Sequence, residues 1–262
     1  MRMIGWIGLA VGFFVAGIAR GAVLVSAPFA NSQQVAQHWL TGGPAADAIV
    51  SNSALVLVNI PNGATRGALT YLTARGQPLH LQPGAELTLT FHYTFGQTDP
   101  SDWGLMFGFF DSGGKRASRM DGSYNQAIFE AYRGYVGVGV LGATKAERFK
   151  VARRIRPANN LISSAAYETL GTPQAQSGGS LPTRTYAASL RLVCDAPGHL
   201  ILTATIDRQS LVSQDAAALT DVDSLGVFVT RHPLQFTIQD LAVNYEPDGG
   251  GKKTAAPSRA RP

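Results

Sequence analysis

The residues best suited to chemistry lie between Tyr124 and Arg133, where hydroxyl, carboxylate and guanidinium groups follow one another closely. The pattern predicts a strand over Tyr124–Tyr132, with Glu130 as the only carboxylate in the middle of a predicted strand. Such groups can take or give a proton beside a sugar ring. If the chain is an enzyme, its candidate catalytic residues are Glu130, Tyr124, Tyr132 and Arg133. A single carboxylate gives little support to glycoside hydrolysis, however, because that reaction uses two.

The next candidates are aromatic and apolar side chains on a second predicted strand, Trp103–Phe110. Its outward face would carry Met106 and Phe110, opposite the core residues. Aromatic rings beside polar groups can line a sugar-binding sheet. The alternative is a second apolar layer packed under the long segment Ile155–Arg184, since aromatic residues in strands mostly serve packing. The candidate ligand-binding residues are Trp103, Met106, Phe110, Gln126, Glu130 and Tyr132.

Metal and cofactor sites have little support in the sequence. The five histidines are scattered and show no spacing typical of metal ligands. Four aspartates near predicted turns could form a structural calcium site, although we favour turn formation as their role; these are Asp99, Asp102, Asp111 and Asp121. We therefore expect no cofactor, with structural calcium as the alternative.

A basic run, KAERFKVARRIR, occupies Lys145–Arg156. If Arg148–Arg154 is a strand, its alternate cations form a charged row. That row could contact an acidic polysaccharide. It could equally protect an exposed edge strand from pairing, and we favour this second interpretation.

Short strands bounded by turn residues recur along the whole chain and predict an antiparallel sandwich or barrel. Strand Glu86–Phe95 alternates apolar and polar residues over its full length, and we expect it to form a hairpin with Trp103–Phe110. A second hairpin is predicted at Tyr186–Asp207, around the turn Ala196-Pro197-Gly198. The other candidate strands are Leu55–Ile60, Ala68–Ala74, Tyr135–Leu141, Ser224–Thr230 and Phe236–Tyr245.

Three segments depart from the simple strand pattern. Ser32–Leu40 could form a short helix or an irregular entry to the fold. The apolar phase changes within the last strand, which predicts a β-bulge near Gln239-Asp240. Ile155–Arg184 is rich in Pro, Asn, Ser and Gly, which predicts a long loop with a short helix at Ser163–Leu170; a loop of this length is functional or disordered.

The two ends of the chain differ from its centre. Residues 1–22 have an early Arg2, an apolar core and then small residues, which predicts a signal peptide or an uncleaved N-terminal anchor. Residues 23–247 would form one sandwich domain, and residues 248–262 a disordered basic tail. A secreted or periplasmic location follows, with no membrane span once the signal is removed.

Charge and cysteine content narrow the class of partner. The net charge is +5, but six cations lie in the two ends. Without them the chain has 16 Lys and Arg against 17 Asp and Glu, a net charge of −1. A nearly neutral domain does not suit nucleic acid. The single Cys194 excludes an internal disulfide and continues an apolar alternation, so we expect a buried, inert thiol.

The order of these segments resembles the concanavalin A-like lectin/glucanase superfamily, a jelly roll of two stacked sheets. The resemblance covers roughly Pro28 to Tyr245 and rests on LTLTFHYTF, WGLMFGFFDS, SLRLVCDAPGHLILTATID and FTIQDLAVNY. It implies an all-β, antiparallel two-sheet jelly-roll sandwich. The Glu-x-Asp-x-Glu motif of the superfamily's hydrolases is missing. Gly122–Gln126 superficially resembles a strand of jelly-roll alginate lyases, whose Arg-rich and Gln-Ile-His strands have no counterpart here.

Three functions follow, and the fold alone does not choose among them. The first is a secreted, non-catalytic glycan-binding or surface-associated module whose partner is a polysaccharide or cell-surface glycan. The second is a polysaccharide lyase or glycoside hydrolase, and the third a purely structural scaffold. An open groove lined by Trp103, Phe110 and Tyr132 would favour binding, whereas a groove filled by Ile155–Arg184 would favour the scaffold. The ligand and the oligomeric state cannot be read from the sequence.

Overall fold

The structure is a computed structural model that describes residues 22–27, 29–42, 47–58, 60, 65–96, 103–118, 124–141, 148–175, 184–230 and 235–247. Residues 1–21 of the predicted signal segment and the predicted tail lie outside these ranges. No helix among the described residues has the length and apolar character needed to cross a membrane.

The described residues form mostly strands. One α-helix, α1, spans Ser32–His38, and two short 3₁₀ helices span Ala127–Ala131 and Ser164–Ala166. The strands are β1 Ala22–Ala27, β2 Trp39–Thr41, β3 Ala48–Ser51, β4 Ala54–Val58, β5 Thr65–Tyr71, β6 Leu79–His80, β7 Glu86–Phe95, β8 Trp103–Asp111, β9 Arg133–Leu141, β10 Arg148–Arg154, β11 Tyr167–Ala175, β12 Tyr186–Ala196, β13 His199–Ile206, β14 Gln209–Asp215, β15 Asp221–Val222, β16 Ser224–Thr230 and β17 Gln235–Glu246.

Two antiparallel sheets pack face to face, which confirms the predicted sandwich. The eight-stranded sheet has the order β14-β13-β12-β7-β17-β4-β3, with β1 also pairing β17. The seven-stranded sheet has the order β11-β10-β9-β8-β16-β5-β2, and β6 and β15 form a separate two-stranded pair. The second predicted hairpin, β12 with β13, is confirmed.

The predicted hairpin between Glu86–Phe95 and Trp103–Phe110 is wrong. Strand β7 pairs with β12 and β17, whereas β8 pairs with β9 and β16 in the other sheet. Their apolar faces meet across the core, where the rings of Phe91 and Phe107 lie 5.4 Å apart. Alternation fixes which face of each strand is buried, but a partner strand in the same sheet and one in the opposite sheet satisfy it equally well.

The predicted bulge is confirmed at the centre of β17. The register between β17 and β7 shifts between Gln239 and Ala242, and Asp240 has a φ of 51°. The extra residue lets both halves of β17 turn their apolar side chains into the core. The first half pairs with β4, and the second half pairs with β1.

Of the two alternatives for Ser32–Leu40, the short helix is present as α1, although it ends at His38 and Leu40 belongs to β2; the Asn31 side chain accepts a hydrogen bond from Gln34 N at 2.9 Å. The predicted helix at Ser163–Leu170 is wrong, since a 3₁₀ turn there leads directly into β11. Strand β11 pairs with β10, so tertiary pairing determined its conformation rather than local composition.

A buried carboxylate joins the two sheets at one edge. Asp215 on β14 accepts hydrogen bonds from Tyr135 Oη at 2.7 Å and from Arg153 Nη1 at 2.8 and 2.9 Å. Arg153 Nη2 also donates to Glu168 at 2.9 Å. These four side chains link β14 of the eight-stranded sheet to β9, β10 and β11 of the seven-stranded sheet. They hold the two sheets together at this edge of the sandwich. Cys194 lies in the core, as predicted, and burial raises the pKa of its thiol.

Candidate functional site

The outward face of the seven-stranded sheet, where the sequence placed a sugar-binding surface, is covered in this structure. Phe110 has no exposed surface and Met106 is 8% exposed. Both belong to a second apolar cluster that also contains Phe129 and Leu161 from the covering segments and Phe228 from β16. The alternative interpretation, a second apolar layer, therefore describes this face. The Trp103 side chain lies outside the described part of the structure.

Two segments form the cover, defined as residues 124–132 and 155–166. They are joined by an isolated bridge between Asn125 and Asn160, by Gln126 N donating to Asn159 O at 2.8 Å, and by Leu161 N donating to the carbonyl of residue 124 at 2.9 Å. The predicted strand at Tyr124–Tyr132 is thus wrong. This segment crosses over the sheet instead of joining it, so its alternating pattern does not mark one face.

A buried arginine holds the cover on the sheet. Arg154 on β10 is fully buried, and its Nη2 donates to Phe129 O at 2.8 Å and to Ala158 O at 2.6 Å, one carbonyl from each covering segment. Burial lowers the pKa of its guanidinium. The prediction that Arg148–Arg154 is an exposed edge strand is wrong, because β10 lies between β9 and β11 and part of its charged row points under the cover.

Tyr124 and Tyr132 are interior residues rather than accessible ones. The hydroxyl of Tyr124 accepts a hydrogen bond from Gly42 N at 2.9 Å, and that of Tyr132 lies 2.7 Å from the hydroxyl of Tyr71. Burial raises the pKa of both Tyr124 and Tyr132 well above the ordinary value for tyrosine. Both stay protonated at physiological pH and have no exposed surface in this structure.

A polar rim forms beside the cover, where β5, β8 and β9 meet the residues around 111–118. Half-buried Tyr71 is its centre. The guanidinium of Arg116 lies 4.4 Å from the centre of the Tyr71 ring, and the hydroxyl of Tyr71 accepts a hydrogen bond from Ala117 N at 2.8 Å. Arg116 also pairs with buried Asp223 at 3.7 Å. Tyr71 is therefore held by Arg116 over its ring and by hydrogen bonds at its hydroxyl, and the residue stays partly accessible to solvent.

The conformation of the rim depends on Asp223, which accepts hydrogen bonds from the backbone N of Ser112 at 3.0 Å and from its hydroxyl. Asp111 accepts from Gly113 N at 2.9 Å, which closes the turn after β8. Burial and the nearby carboxylates of Asp223 and Asp221 raise the pKa of Asp111, and Arg133 opposes them. The sequence FDS at the end of β8 thus encodes a turn. Its serine is fixed by the carboxylate of Asp223, the residue between β15 and β16.

Glu130 and Arg133 complete the rim. Arg133 lies opposite Asp111 in the pairing of β8 with β9, and its Nη1 donates to the carbonyls of Glu130 at 2.7 Å and Tyr132 at 2.9 Å. The Glu130 side chain is exposed. The structure therefore brings Phe110, Tyr132, Glu130 and Arg133 into one region, but only Glu130 and Arg133 reach its surface.

Sequence reasoning missed Tyr71, Arg116 and Asp223, which dominate the rim. They come from three separate parts of the chain, and no local spacing links them. The only local signal was Asp111-Ser112, whose buried polar serine required a partner. No group of three or more metal-binding side chains occurs among the described residues, and of the four aspartates considered for calcium only Asp111 is described.

No protein-family model and no curated protein sequence matches the chain. Solved structures do share its fold. An alginate lyase, Aly36B, in a mutant form bound to alginate trisaccharide, superimposes with a TM-score of 0.51 at 13% identity, covering 87% of this chain and 98% of the lyase.

Two further structures are similar to the same extent. The potassium-bound carbohydrate recognition domain of Emp46p has a TM-score of 0.52 at 14% identity, with 86% and 96% of the two chains covered. The CBM2 module of the evolved Dit protein of Lactobacillus casei BL23 phage J-1 has a TM-score of 0.50 at 7% identity, with the same coverage. At these identities the similarity establishes the sandwich fold and leaves the site to be argued from this chain's own residues.

Proposed function

We propose that this chain is a secreted or periplasmic, non-catalytic glycan-binding module, and that the polar rim is its binding site. The observation that carries the proposal is the partly exposed Tyr71, held by Arg116 at the same end of the seven-stranded sheet as Asp111 and Arg133. A fixed aromatic ring supplies apolar contact to a sugar, while carboxylate and guanidinium groups bond its hydroxyls. The names of the similar structures, a carbohydrate recognition domain and an alginate lyase, agree with a glycan ligand.

Binding without catalysis is favoured by the state of the two candidate tyrosines. A base must reach its proton within hydrogen-bond distance of the substrate. Tyr124 and Tyr132 are buried, hydrogen-bonded and held protonated. Of the candidate catalytic residues, only Glu130 and Arg133 are accessible to a substrate, so neither tyrosine can act as the base in this structure.

A glycan array followed by calorimetric titration of the best binder tests the proposal. Asp111→Asn keeps the shape of the side chain and can still accept from Gly113 N, so it changes the charge of the rim alone. We expect it and Arg133→Gln to weaken binding about tenfold each, at an unchanged melting temperature for the asparagine variant. Arg208→Gln, on the exposed turn between β13 and β14, serves as the control. Absence of binding to any glycan would overturn the proposal. So would an affinity of both rim variants equal to that of the wild-type protein.

The rival proposal, a polysaccharide-degrading enzyme, is tested on the same samples. Wild-type protein and Glu130→Gln are incubated with alginate and with neutral polysaccharides, and reducing ends and unsaturated products are measured. Activity that Glu130→Gln abolishes without unfolding would establish the enzyme. Release of no product by either protein is the result that glycan binding alone predicts.

A further inference from the structure

The outward face of the eight-stranded sheet carries a second regular surface, on the other side of the sandwich from the rim. In the described residues its outward side chains are half-buried or exposed, and no segment covers them. Strand pairing aligns the outward residues of six strands into rows. One row consists only of short side chains: Ser210, Thr205, Ser189, Thr90, Ala242 and Ser26.

This row forms the floor of a shallow trough. On one side the next row contains Arg191, Thr88 and Asn244, and on the other side lie His92 and Gln239. Arg191 and Asn244 on one side, and His92 and Gln239 on the other, therefore border a strip of hydroxyls and one methyl group. The short side chains of Thr88 and Ala187 interrupt the two borders. Six strands spaced about 4.8 Å apart make the strip roughly 24 Å long.

The hydroxyls of the trough are available to a ligand. Thr205 Oγ1 donates to Ser210 Oγ at 3.3 Å. Within the described residues, the hydroxyls of Ser26, Thr90 and Ser189 make no hydrogen bond to protein. The β-branched threonines are stiff at χ1, so binding costs little side-chain entropy there.

The two ionisable side chains named in the bordering rows already have partners. Arg191 Nε donates to Glu86 at 2.6 Å, and its Nη2 bonds the second carboxylate oxygen. His92 Nδ1 lies 3.2 Å from Asp240. A charged ligand would have to displace these solvent-accessible partners, whereas an uncharged ligand would leave them in place. The border therefore favours a neutral occupant.

The distribution of apolar residues argues against a protein occupant, a second copy included. Interfaces between proteins have an apolar centre and a polar rim. Here the centre is polar, and the exposed large apolar side chains lie at the margins, with Val212 at 59% and Val23 at 60% exposure at the two ends of the neighbouring row.

We infer that the trough binds an extended, neutral polysaccharide chain through its hydroxyl groups. The described part of this face offers no aromatic ring for stacking, so each sugar contributes little and affinity accumulates along the length of the chain. Together with a glycan bound at the rim, occupancy of the trough would let one module link two glycan chains.

Titration of ¹⁵N-labelled protein with laminarihexaose, cellohexaose and mannohexaose, followed by amide chemical shifts, tests this inference. We expect at least one neutral hexasaccharide to shift amides of β7, β12 and β13. Ser189→Arg, which places a long side chain across the trough, should weaken that binding about tenfold or more. Gln214→Arg adds the same group to the same face outside the trough and should change the affinity by less than about twofold.

The outcomes separate the trough from the rim. Arg133→Gln should leave the trough shifts unchanged, so a failed rim proposal does not remove this one. Three results would each overturn the inference. The first is no amide shift with any neutral hexasaccharide at about 10 mM, and the second is an affinity of Ser189→Arg equal to that of wild type. The third is amide shifts on this face with an alginate hexasaccharide alone. Concentration-dependent self-association abolished by Ser189→Arg would assign the face to a second copy and overturn it as well.

Discussion

Replacing Phe129 with alanine tests whether the cover is part of the folded core. Phe129 has no exposed surface, its ring centre lies 5.0 Å from that of Tyr132, and its carbonyl accepts the Arg154 hydrogen bond. Truncating a fully buried phenylalanine removes its transfer free energy and leaves a cavity, at a cost of about 3–5 kcal/mol. For a domain of this size we expect the melting temperature to fall by roughly 6–20 °C.

The assay is urea denaturation of wild-type protein, Phe129→Ala and the adjacent exposed variant Glu130→Ala. The midpoint should fall for Phe129→Ala with an unchanged m value, because the same surface is exposed on unfolding. Glu130→Ala should lie within about 0.5 kcal/mol of wild type. A loss below about 1 kcal/mol for Phe129→Ala would refute the reasoning, since it would mean that the cover is a peripheral loop that contributes little to the core.

Three further predictions concern other parts of the molecule. Asp215→Ala should lower the free energy of unfolding by about 3–5 kcal/mol, as measured by the same denaturation, because it breaks a buried ion pair and leaves the Tyr135 hydroxyl without its acceptor and partly buried Arg153 with Glu168 as its remaining carboxylate partner. Arg191 on β12 lowers the pKa of Glu86. The stability from this pair is therefore present above the pKa of the unfolded state and is lost as the pH falls through the lower pKa of the folded state. Glu86→Gln should flatten the acid side of a plot of melting temperature against pH. Cys194 should react with a thiol reagent only after unfolding, since it is buried and its pKa is raised. A change under about 1 kcal/mol for Asp215→Ala would contradict the first prediction. An acid side of the plot that Glu86→Gln leaves unchanged would contradict the second, and full labelling of Cys194 in the folded protein would contradict the third.

Among the strands that the sequence predicted correctly, those with one apolar and one polar face have the clearest pattern. Strand β7 and the β12–β13 hairpin alternate cleanly, and the bulge in β17 appeared as a change of phase. By contrast β14 was missed, although its burial alternates, because its inward positions include Ser213 and Asp215. A buried polar residue that finds its partner in the other sheet does not resemble a core residue in the sequence.

The candidate site was predicted in part. Glu130 and Arg133 lie at the surface of the rim, but Tyr71 and Arg116 come from strands and turns that no spacing connects to them. Met106 and Phe110 on β8 were identified as part of a distinct outward face, and the sequence does not say whether a ligand or the chain itself covers that face. The bridge between Asn125 and Asn160 settles that point in the structure.

The sequence by itself determined the class of fold, the strand faces and the buried thiol, because alternation and turn residues act over a few positions. Only the tertiary structure decided that β7 and β8 belong to different sheets, that Arg154 lies under a cover, and that hydroxyls of five strands align in one row. These features depend on which strands pair and in which register. Pairing is set by contacts between distant parts of the chain, which a pattern of period two leaves open.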